Sequence, residues 1–83
     1  MANNLMKLRG KHQLSQSDLA KKIGITKQGL SFNEVKRVSF KVASKAAEVL
    51  GENVFAVLGS DALVALPKTE EDKRILIQII EEL

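Results

Sequence analysis

Residues 16–34 read QSDLAKKIGITKQGLSFNE, and this stretch decides the fold. It holds two short helical patterns joined by one glycine. Ser15 stands where it caps the first helix, and Asp18, three residues on, completes a capping-box-like pair. Leu19, Ala20 and Ile23 fall on one face at helical spacing. Gly24 supplies the left-handed backbone that ends a helix. Thr26 is the second N-cap, and Ile25 and Leu30 take the two positions of a hydrophobic staple around it. Ala20 leaves room for two helices to approach closely, and Leu30 points back into the angle between them. The spacing predicts helices over residues 16–23 and 27–35 that meet at a rigid corner.

Such a corner is the plan of a helix-turn-helix, whose second helix can lie in the DNA major groove. Gln16, Leu19, Ala20, Gly24, Ile25, Leu30, Ser31 and Glu34 resemble the pattern Q-x-x-L-A-x-x-x-G-[IV]-[ST]-x-x-x-[IVL]-S-x-x-E of the lambdoid phage repressors and Cro proteins, the XRE-like family. The resemblance extends upstream to Leu8, Arg9 and Leu14. Downstream it takes in SFKVASKAAEVLG, residues 39–51, which is similar to that family's fourth helix. It spans roughly residues 1–58 and implies an all-α, compact, five-helix repressor-like domain. In this chain the family's loop E-x-G-x-x-x-P is altered. Asn33 replaces an aromatic before Glu34, and Val35, Lys36, Arg37 and Val38 follow with neither Gly nor Pro. Either the helix after Gly24 runs on, or the loop is remodelled.

The rest of the chain reads as further short helices. The first spans about residues 4–11, with Leu5 and Leu8 inward and Gly10 weakening its end. Ser39 caps a helix over 40–50 whose stripe is Phe40, Ala43, Ala46, Ala47 and Leu50, closed by Gly51. Asn53 caps a short helix over 54–58 that ends at Gly59. Residues 59–83 form a linker and an extra amphipathic C-terminal helix within the same unit. ALVAL, residues 62–66, fits a helix or a strand equally. Thr69 caps the last helix, and the acids at 70, 71 and 72 suit its positive N-terminal end better than they suit a metal. Ile75, Leu76, Ile79, Ile80 and Leu83 form its stripe, and Ile77 widens it to about 200°. A surface helix needs about half that width. The excess width marks Ile75, Leu76, Ile79, Ile80 and Leu83 as a homodimer interface, the other reading being a lid over the first and fifth helices.

Eighty-three residues with 45% apolar content make one domain with a core of its own. There is no cysteine, so disulfide and thiolate chemistry is excluded, which fits a cytoplasmic protein. No apolar run approaches the ~20 residues of a membrane span, and the N-terminus lacks the apolar core of a secretory signal. The net charge of +3 is unevenly spread. Residues 1–50 carry ten Lys and Arg against three acids, a net +7; residues 51–83 carry three against seven, a net −4. Lysines commonly do no more than solvate helices. Lys27, Lys36, Arg37 and Lys41, however, gather at and just after the second helix of the corner, as a phosphate surface requires.

Carried over from the family, Lys27, Gln28, Ser31 and Phe32 take the base-reading positions. Lys donates to guanine, Gln pairs with adenine, and Phe meets a thymine methyl group. Phe32 has a competing place in the core. The resemblance gives phosphate contacts to Gln16, Lys36, Arg37 and Lys41, with Lys11 and His12 able to approach the backbone. Arg9 and Glu34 match a structural salt bridge. The partner is double-stranded DNA, and no metal, cofactor or small-molecule ligand is implied. The expected function is a sequence-specific transcriptional regulator, repressor- or Cro-like, on a pseudo-palindromic operator. A controller or antitoxin-type autorepressor would read the same way. A protein-interaction module working through the C-terminal helix is the competing class. An enzyme is disfavoured, since the chain has no Cys nucleophile, one His and no phosphate-cradling Gly loop.

Overall fold

Nearly every helix of this protein begins where a short polar side chain takes up a free backbone N–H. In the computed structural model, which describes residues 3–61 and 67–82, these are α1 (Leu5–Lys11), α2 (Gln16–Ile23), α3 (Lys27–Val35), α4 (Phe40–Leu50), α5 (Val54–Leu58) and α6 (Glu70–Glu81). A 3-10 turn, Gly59–Asp61, follows α5. Ser15, Thr26, Ser39 and Thr69 each accept from the N–H three residues on, and Asn53 from the N–H two on. The first turn of α6 carries Glu70, Glu71 and Asp72, where the helix dipole favours them. Gly24 closes α2 at φ +76°, a conformation costly for any residue with a Cβ.

The start of α1 differs slightly from the expected residue 4. Asn4 stands outside the helix and does not cap it. Its side chain donates to the Ala56 carbonyl at 2.9 Å, and its own N–H donates to Val57 O at 2.9 Å. Asn3 supplies the acceptor instead, taking the Leu5 N–H at 3.0 Å.

Helix α4 is the hub, packing against α1, α2, α5 and α6. Its alanines explain this, because Ala43, Ala46 and Ala47 are buried and let neighbouring backbones come close. Leu5, Leu19, Leu30, Val38, Val57 and Leu58 fill the core around it, each 1% exposed or less. At roughly 25 cal/mol per Å² of apolar surface, burying each such side chain contributes about 1.5–3 kcal/mol.

The stripe of α6 divides. Ile75, Leu76 and Ile79 are partly buried and pack against the core, with α4 as the principal contact rather than α1 and α5. Ile77 and Ile80 remain 54% and 55% exposed. At about 100° per residue the packed trio covers roughly 100°, the width a surface helix needs, so the two isoleucines are the surplus. Residues 62–66 and Leu83, which entered the linker and interface expectations, lie outside the described residues. Among the described residues no helix is long and apolar enough to cross a membrane.

Candidate nucleic-acid interface

The corner is built from α2, Gly24 and α3. Ile25 N–H donates to the Ala20 carbonyl at 3.0 Å, so the turn is tied to the helix it leaves. Thr26 Oγ1 caps α3 at the Gly29 N–H, 2.9 Å. Gly29 suits this cap, since a Cβ there would sit 3.1 Å from Thr26 Oγ1. Leu30 and Glu34 turn inward and are fully buried. The opposite face of α3 is open: Lys27 and Gln28 are exposed, Ser31 is half-buried, and Phe32 is 59% exposed. Phe32 is therefore no core residue. At about 100° per residue these four side chains share an arc of roughly 140°.

A buried ion pair fixes the far end of α3. Arg9 Nε lies 2.7 Å from Glu34 Oε2, and its Nη2 donates to Oε1 at 3.3 Å. Arg9 Nη1 donates to the Leu14 carbonyl at 3.0 Å. The Gln16 amide nitrogen also donates to Glu34 Oε1, at 2.9 Å. Glu34 is thus a 0% exposed carboxylate with three donors on its two oxygens. A charge buried this way is tolerated because each oxygen is satisfied. Gln16, half-buried at the first position of α2, thus braces the end of α3 through Glu34.

The loop after α3 is remodelled, not an extension of the helix. Helix α3 stops at Val35, and Lys36 closes it. Asn33 makes this stop. Its Nδ2 donates to Gly29 O at 2.7 Å, and its Oδ1 accepts the Ser39 N–H at 2.9 Å. Its backbone carbonyl accepts from Asn3 Nδ2 at 3.1 Å. Together with buried Val38, these bonds pin the loop to α4 without Gly or Pro. Lys36 and Arg37 stand exposed on that loop, and Lys41 is exposed in the first turn of α4.

Lys11 is engaged elsewhere. Its Nζ donates to Glu52 Oε2 at 3.2 Å, and His12 Nε2 lies 2.7 Å from the same oxygen. This clasp joins the end of α1 to the approach to α5. The hydrogen bonds from His12, then from Lys11, hold the Glu52 carboxyl below its ordinary pKa. Sequence reasoning missed three contributors: Asn33 as a loop brace, Asn3 as the α1 cap, and Val35 on the open face. Only Val35 had a readable signal, since it falls seven residues after Gln28 and three after Phe32.

Two short helices meeting at a glycine turn, the second with an open face of mixed polar and apolar side chains flanked by cations, define a helix-turn-helix. The helix-turn-helix family model HTH_3 matches residues 5–55, and the chain belongs to that family, of the XRE-like kind. It is a DNA-binding transcription regulator. Neither the curated proteins nor the solved structures offered a match to the chain.

Proposed function

We propose that this protein is a sequence-specific regulator that binds a pseudo-palindromic operator as a homodimer in the cytoplasm. One observation carries the reading: the open face of α3 bears Lys27, Gln28, Ser31 and Phe32, with exposed Lys36, Arg37 and Lys41 beyond it. In this reading the α3 side chains meet base edges while the three cations meet phosphates. Gln16 adds a phosphate contact from the start of α2, and Lys11 joins only if a phosphate displaces Glu52. Exposed Ile77 and Ile80 are the proposed dimer contact, joined by Leu83 from the sequence pattern alone. Ile75, Leu76 and Ile79 then support the interface from beneath.

The same two isoleucines favour a second reading, a protein-docking module that never contacts bases. Selection of bound duplexes from a random pool, followed by titration at two salt concentrations, separates the two. The regulator yields one enriched site and a steep loss of affinity with salt. A pool that stays random, with weak and salt-independent binding, overturns it.

A further inference from the structure

The open face of α6 carries charges as well as its two isoleucines. At about 100° per residue, Lys73, Arg74, Ile77, Ile80 and Glu81 share an arc of roughly 120°. All of them are exposed, while Ile75, Leu76 and Ile79 hold the other side of the helix against the core. From the start of the helix to its end, this face reads cations, then isoleucines, then an acid. Lys73 leans on Glu70 at 3.8 Å. Arg74 and Glu81 stand about 10.5 Å apart along the axis, beyond the roughly three- or four-residue reach over which side chains of one helix pair.

An apolar centre with a cation at one end and an acid at the other is complementary to its own reversed copy. A parallel copy would set Arg74 against Arg74 and Glu81 against Glu81. An antiparallel copy, related by a two-fold axis beside Ile77, sets each Arg74 level with the partner's Glu81, and the isoleucines meet between them. We propose that α6 pairs antiparallel with α6 of a second copy, and that two ion pairs, each from Arg74 to the partner's Glu81, fix that direction. The inference rests on the homodimer reading and adds which partner the face accepts and in what orientation. A foreign apolar helix would need opposite charges at both ends of the isoleucines; a second copy supplies them by symmetry.

The test sediments the full chain at low salt. Arg74→Glu and Glu81→Arg each weaken the dimer about tenfold, since either one turns both exposed attractions into repulsions. Neither reversal opposes the helix dipole, which favours acids early and cations late, so the loss is not a melted helix. The double variant Arg74→Glu/Glu81→Arg recovers the parent's dimer constant, and added salt erases the differences. The chain has no cysteine, so an introduced thiol reports the direction directly. Ile77→Cys, beside the axis, cross-links on oxidation; Glu70→Cys, about 22 Å from its copy in the antiparallel pair, does not. Single reversals that keep the parent's constant, or cross-linking through Glu70→Cys, overturn the proposal and leave the dimer reading standing. A parent that sediments as a monomer at every concentration removes both.

Discussion

Glu34 holds the candidate interface in place from behind, facing away from solvent. It accepts from Arg9 twice and from Gln16 once, so one carboxylate ties α1 and α2 to the end of α3. Taking away its charge leaves the Arg9 guanidinium, 17% exposed, without its counter-ion. Glu34→Gln is expected to lower the unfolding free energy by about 3 kcal/mol, the low end of breaking a buried pair. A urea titration reads this as a lower midpoint at unchanged slope. Asn33 acts at the same scale, since an aromatic there could not offer both an acceptor to Ser39 and a donor to Gly29.

Between elements, two contacts invite measurement. The clasp of His12, Lys11 and Glu52 joins α1 to the approach to α5. The folded pKa of Glu52 is lowered, so its stabilisation is present above the ordinary glutamate value and is lost as pH falls through the lowered one. Thermal melts in the acid range, below about pH 4.3, should drop more steeply for the parent than for Glu52→Gln. An identical acid slope in the two proteins would remove the clasp from the acid response. The second contact is the seat of α6 on α4. Ile77→Ser/Ile80→Ser should shift the protein from dimer to monomer in sedimentation while changing stability by no more than about 0.5 kcal/mol, as exposed positions do. Ile79→Asp, by contrast, puts a charge against the chain's own core and should lower the melting temperature itself.

At the scale of the whole molecule, charge is unevenly divided. The basic N-terminal portion holds the corner, while the acidic remainder holds α6, whose first turn carries three acids. In the proposed complex such a split would orient the corner toward a polyanion and keep α6 away from it. A two-fold dimer would place its α3 helices about 34 Å apart, one helical turn of DNA. Inserting about five base pairs between the half-sites turns one of them to the opposite side of the duplex. Affinity for the expanded site should fall to that of a single half-site in a gel-shift titration. Equal affinity for both spacings would argue for a monomer as the binding unit.

The chain's own order of residues determined where its helices lie. Ser15, Thr26, Ser39, Asn53 and Thr69 each mark a start, and Gly24, Gly51 and Gly59 each mark an end, because capping is a contact between near neighbours. The corner was legible for the same reason: its staple and glycine turn lie within one short stretch. Tertiary structure alone decided which half of the α6 stripe is buried, that Phe32 faces outward, and that Asn33 replaces the missing Gly and Pro. It also decided that Lys11 finds Glu52, 41 residues away. A helical period fixes which side chains share a face, but not which neighbour covers that face; only packing in three dimensions settles it.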